Sequence, residues 1–120
     1  MSTVIKWIPG SGTTHYRGIK VTGTTSGAAV TLHTSTASVT DGVADICDVT
    51  VYNSDTVDRT ISFGVGGTTS PDDIRGGTVP AGEERTFYDM PLRNSLILKA
   101  WASSANVLTC HPRYRQVVFS

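Results

Sequence analysis

Apolar and polar residues alternate along this chain with the period of strands, most clearly at residues 46–65, ICDVTVYNSDTVDRTISFGV. Cys47, Val49 and Val51 fall on one face before a polar turn at Asn53, Ser54 and Asp55. Val57, Arg59, Ile61, Phe63 and Val65 share a face after it. A period of two in Val, Thr, Ile and aromatic residues marks a strand with one buried face. Asn and Asp tolerate left-handed backbone angles and bond their own backbone, so the chain can reverse at the turn. The stretch predicts a β-hairpin at the centre of a sheet.

The same period recurs on either side. Residues 2–9 alternate weakly through Val4, Ile5, Trp7 and Ile8, and Pro9, Gly10, Ser11 and Gly12 then break the pattern. This predicts an N-terminal arm or edge strand at residues 1–12, followed by a single β-sandwich domain at residues 13–120. Residues 15–22 and 29–34 are further candidate strands. In the second, Val30, Leu32 and Thr34 lie on one face and Thr31 and His33 on the other. Residues 35–42 read as a polar loop, and residues 66–77, GGTTSPDDIRGG, as the longest loop. Residues 83–88 form a strand that Met90-Pro91 ends; residues 96–102, 107–111 and 114–119 complete the set. Short strands at turn-sized intervals predict an all-β fold, an antiparallel β-sandwich (jelly-roll or Ig-like) of about eight strands.

Composition supports this class. Across 120 residues, with 12 Gly and 5 Pro, strong helix formers are scarce. Ten basic and ten acidic residues cancel, and neither half of the chain carries a charge field. Binding through nucleic-acid phosphates normally needs a basic excess, so the balance argues against nucleic acid as a partner. No apolar run has the length of a membrane span, and the N-terminus lacks the apolar core of a signal peptide. The expectation is synthesis in the cytoplasm, no membrane partner, and exit from the cell, if any, by a route other than secretion.

Candidate chemistry is sparse. His15, His33 and His111 have no metal-ligand spacing, and no G-x-S-x-G elbow occurs. Asp41, Asp45 and Asp48 lack the ligand pattern of a calcium loop and read as surface turn carboxylates. Gly64, Gly66 and Gly67 follow a strand, but no Lys-Ser/Thr pair or helix follows them to hold a phosphate. Cys47 and Cys110 read as reduced thiols, with a disulfide between them as the alternative for a protein working outside the cell. No catalytic, metal or cofactor residue is expected. Two observations point to contacts instead. Arg113 and Arg115 project the same way if their segment is extended, and Trp7, Tyr52, Tyr88 and Trp101 would anchor an interface wherever they are exposed.

The order of motifs carries a resemblance. A Thr-rich strand (AVTLHT) precedes a strand ending in Tyr-Asn (VTVYNSDTVDRTISFGV); a Pro-Ala-Gly-Glu turn follows (VPAGEERTFYDMPL), then LILKAWASSANVLTC. Over roughly residues 28–110 this resembles small β-sandwich virion proteins of tailed bacteriophages. The resemblance implies a non-enzymatic structural role, decorating or cementing a capsid or building the neck, collar or tail. It also implies a place in the virion after synthesis in the host cytoplasm. The implied partners are identical subunits and the major capsid, neck or tail proteins. Contact candidates are Trp7 and Ile8 in the arm, Asp72, Asp73, Ile74 and Arg75 in the long loop, and Tyr114 and Arg115 near the C-terminus. The alternative is a carbohydrate- or host-surface-binding β-sandwich module, with Trp101 or Tyr88 stacked on sugar rings.

Overall fold

A computed structural model describes residues 7–13, 17–36, 43–67, 72–93 and 95–118. Nine strands lie among them: β1 (Ile8–Pro9), β2 (Ile19–Lys20), β3 (Val30–Thr34), β4 (Val43–Asn53), β5 (Arg59–Val65), β6 (Asp73–Val79), β7 (Glu84–Leu92), β8 (Ile97–Ala102) and β9 (Leu108–Val118). They form two antiparallel sheets. Sheet A runs β1-β9-β4-β7, with β2 also paired to β9; sheet B runs β3-β8-β5-β6. The sheets face each other as a β-sandwich. Among the described residues no helix is long and apolar enough to cross a membrane.

The inner faces follow the alternation. Cys47, Val49 and Val51 from β4 meet Ile61 and Phe63 from β5, all at most 1% exposed. Phe63 and Phe87 pack edge to face across the two sheets with ring centroids 5.1 Å apart.

The expected hairpin at residues 46–65 is a corner instead. β4 belongs to sheet A and β5 to sheet B, so the turn carries the chain from one layer to the other. Asn53 explains this. Its side chain is fully buried, and its Nδ2 donates to the carbonyls of Val57 and Val79 at 2.9 Å each. Its Oδ1 accepts the Asp55 N–H at 2.9 Å. A turn clamped to Val79 of sheet B cannot fold back onto sheet A.

Other departures have similar local causes. The alternation of AVTLHT breaks at a register shift between Thr31 and His33, so Leu32 and His33 are both buried. Asp45 and Asp48 are not surface turn carboxylates but strand residues, 0% and 3% exposed. The segment expected to be the longest loop becomes strand β6 from Asp73 onwards, paired along β5; its two central glycines leave no alternation to read. Strand β7 does not stop at Met90-Pro91 but runs to Leu92. It is an edge strand of sheet A, where a proline's missing N–H need remove no ladder bond. In the N-terminal stretch, Ile8 and Pro9 pair with Tyr114 and Arg113 of β9 as an edge strand, while residues 1–6 lie outside the described residues. Residues 14–16 and 37–42 lie outside them too.

Each long flank of the sandwich needs closing. On one, residues 10–12 cross from sheet A to sheet B: the Gly10 N–H donates to the Pro112 carbonyl and the Gly12 N–H to the Leu32 carbonyl, both at 3.0 Å. The approach is so close that a Cβ at Gly10 would lie 2.7 Å from the Leu32 carbonyl oxygen. On the other flank β6 and β7 exchange arginines. Arg85 of β7 donates to the Thr78 carbonyl of β6 at 3.1 Å, and Arg75 of β6 donates to the Tyr88 carbonyl of β7. The Arg85 guanidinium also lies over the Phe87 ring, 4.6 Å from its centroid.

Candidate interaction surface

The outer face of sheet A is built mainly by its two longest strands, β4 and β9, which pair along eleven positions from Val43↔Val118 to Asn53↔Leu108. Period two sends Asp48, Thr50 and Tyr52 outward from β4, opposite Arg113, His111 and Thr109 of β9. On the far side of β4, Thr86 and Glu84 of β7 stand opposite Thr50 and Tyr52. The Thr50 and Thr86 hydroxyls bond at 2.9 Å. On the near side, Lys20 of β2 pairs with Thr109.

One end of this face is an ordered charge network. The β4–β7 register shifts between Cys47 and Val49, and Asp89 takes a left-handed conformation there (φ 60°). This is a β-bulge, and it aims the Asp89 N–H at Asp48 Oδ1, 2.9 Å away. Asp48 Oδ2 stands 3.7 Å from Arg113, and Asp89 Oδ1 stands 3.2 Å from Arg115. Both guanidinium groups lie over the Trp7 indole, at 4.1 and 5.0 Å from the ring centroid. Such contacts are worth about 0.5–2 kcal/mol each and fasten the N-terminal strand to β9. Tyr88, on the bulge, is 56% exposed, and Tyr52, at the other end, is 42% exposed.

The sequence-derived candidates separate accordingly. Trp7, Ile8 and Arg115 come together along β1 and β9. Arg75 and Arg115 converge from opposite sides of sheet A on the Tyr88–Asp89 bulge. Asp72 is exposed beside Gly67 at the mouth of the β5–β6 connection; Asp73 and Ile74 begin β6, and their side chains are outside the described set. Tyr114 turns inward, 8% exposed, and stacks on His33 with centroids 4.1 Å apart. It is therefore a core residue and offers no contact surface. Asp48 and Asp89 were not legible as partners of the arginines, because the bulge that brings them together is invisible in the residue pattern. The shared direction of Arg113 and Arg115 was legible from period two alone.

A second polar cluster lies inside the flank crossed by residues 10–12. His33 and Asp45 are both fully buried, with Nε2 and Oδ2 2.7 Å apart. The Ser11 N–H donates to His33 Nδ1 at 3.0 Å, so Nδ1 is an acceptor and the ring proton sits on Nε2, donated to Asp45. Asp45 also accepts from the Thr36 N–H at 2.8 Å, the Thr36 hydroxyl at 3.2 Å and Gln116 Nε2 at 3.3 Å. A His–Asp pair is a familiar element of acyl-transfer sites. Here the second ring nitrogen is taken by a backbone amide and neither side chain meets solvent, so the pair is a fastening. Burial raises the Tyr114 phenol above its ordinary value, with the nearby Asp45 charge adding to the shift.

Burial likewise pushes the thiols of Cys47 and Cys110 up to about 12. Both are free. Cys47 pairs with Tyr114 and Cys110 with Val51, four residues apart along the ladder. That offset is about 13 Å at strand rise, too far for a disulfide. At the interlayer turn, the Thr56 N–H and Arg59 hold the Asp55 carboxyl below its usual range. Among the described residues no three His, Cys, Asp or Glu side chains group as a metal would require. Compared with family models, with curated proteins and with solved structures, the chain matches none.

Proposed function

We propose that this chain is a non-enzymatic structural component of a tailed-phage virion, decorating or cementing the capsid or forming part of the neck, collar or tail. The observation that carries the reading is the outer face of sheet A. It is a broad sheet surface with exposed tyrosines at both ends and charges already held in place by ion pairs. Ordered, pre-positioned side chains lose little entropy on association, which suits a contact repeated around a symmetric particle. The most catalysis-like constellation, His33–Asp45, is closed to substrate by its own hydrogen bonds.

The test is mass photometry and co-sedimentation of the purified protein with capsids or tails that lack it. Saturable binding to one particle type, at a stoichiometry set by that particle's symmetry, is the expected result. A protein that ignores every particle but binds envelope glycans through Tyr88 or Trp101 would replace this reading with the carbohydrate-binding one.

A further inference from the structure

We infer that the outer face of sheet A is a homotypic interface, on which a second copy of this chain docks face to face about a two-fold axis parallel to the strands, between β4 and β9. The inference rests on the reading above only in taking assembly through repeated contacts as the chain's task. It comes from how charge is distributed across the face. Lys20, Arg113 and Arg115 all stand on the β2 and β9 side, and Asp48, Asp89 and Glu84 all on the β4 and β7 side. Arg113 and Arg115 are already paired with Asp48 and Asp89 of their own chain, which leaves Lys20 and Glu84 as the cation and the anion at the two margins of the face.

A two-fold axis between β4 and β9 turns this division into self-complementarity. It lays the β9 column of one copy over the β4 column of the other, and β2 over β7, with rows along the strands preserved. Lys20 and Glu84 end the same cross-strand row, Lys20–Thr109–Tyr52–Glu84, so each Lys20 meets the other copy's Glu84. Tyr52 falls over the opposite Thr109. Each contact occurs twice, as an isologous interface requires. Eleven residues each in β4 and β9, nine in β7 and two each in β1 and β2 give a footprint of roughly 550 Å² per copy at ordinary strand spacing and rise. That is near the ~600 Å² per partner at the lower end of specific interfaces.

Lys20 and Glu84 are both exposed, so reversing them leaves the core untouched, and thermal melts of each variant are expected to match the wild type. Sedimentation velocity over a wide concentration range, at low and high salt, reads the association. The wild-type chain is expected to dimerise, more weakly at high salt. Lys20→Glu alone and Glu84→Lys alone each place like charges opposite each other twice, and each is expected to weaken the dimer at least about tenfold. The double variant restores opposite charges at both places and is expected to recover the affinity. So is an equimolar mixture of the two single variants, through a heterodimer. A wild-type chain that stays monomeric overturns the inference. So does a dimer indifferent to the single reversals, or one that neither the double variant nor the mixture restores. The two readings fail separately: a dimer that binds no particle defeats the virion reading alone, and a monomer that binds particles defeats this inference alone.

Discussion

The two long flanks of the sandwich face one problem, two sheets side by side with no strand to join them, and they meet it with opposite chemistry. Beside β3 and β9 the closure is anchored in the interior: residues 10–12 cross between the layers with Gly10 buried and Ser11 and Gly12 exposed, and the Ser11 amide reaches a His33–Asp45 pair that meets no solvent. Beside β6 and β7 the closure is wet: Arg75 and Arg85 lie across the gap and donate to carbonyls at the surface. A charge removed from water must have every partner in place, whereas an exposed arginine exchanges one acceptor for water at little cost. The first flank is thus expected to be brittle and specific, and the second forgiving.

The sharpest way to break the contrast is Asp45→Ala. It strands the Nε2–H of His33 and takes the acceptor from the Thr36 amide, and is expected to cost about 3–5 kcal/mol in urea unfolding. A loss below about 1 kcal/mol would show that the anchored flank is as forgiving as the wet one.

Alkaline pH breaks the protein mainly through its buried thiols. The Cys47 and Cys110 thiols, at 9.0 in ordinary surroundings, are raised to about 12 by burial. The folded state therefore holds protons that the unfolded state releases. The stability from this source is complete below pH 9 and is lost as pH rises towards 12. At pH 10.5 the expected loss is about 2 kcal/mol per thiol. Because the raised Tyr114 phenol adds to the slope above about pH 10, Cys110→Ala should remove less than half of it, while Arg85→Met should leave its shape unchanged.

Gly10→Ala probes the crossing alone. The added methyl meets the Leu32 carbonyl oxygen and Pro112, and is expected to cost about 1–3 kcal/mol. At the turn that joins β6 to β7, Gly82 has a positive φ of 70° but open space around it, so Gly82→Ala should cost only about 1 kcal/mol of backbone strain. Smallest of all, Arg85→Met keeps the stem that covers Phe87 and loses one exposed bond to a carbonyl, for an expected loss within about 0.5 kcal/mol.

What the sequence made legible was which residues face inward, because period two reports burial. That sufficed for the core faces of β4, β5 and β8 and for the sandwich class. It could not say which sheet a strand joins, because alternation carries no information about partners. Asn53 was recognisable as a turn residue, but its role as an interlayer corner depends on Val79, 26 residues away. Bulges erased the rest. A slip of one residue reverses every side chain beyond it, so His33 read as an outward residue, and the Asp48–Asp89 contact had no signature. Tyr114, flanked by two arginines, read as a polar edge when it stacks in the core.

The central position of β4 has a consequence for the chain during its synthesis. Its neighbour β9 begins 55 residues after β4 ends, counting from Asn53 to Leu108. At roughly 5–20 residues per second, β4 leaves the ribosome about 3–11 s before that partner exists. A strand rich in Val and Ile with an open edge is, in that interval, a seed for aggregation. Asp45 and Asp48 are spaced so that every six-residue window of β4 holds at least one of them. The carboxylates that fasten the finished protein from within therefore serve first as gatekeepers of the nascent one, keeping charge in the strand until β9 arrives to cover it.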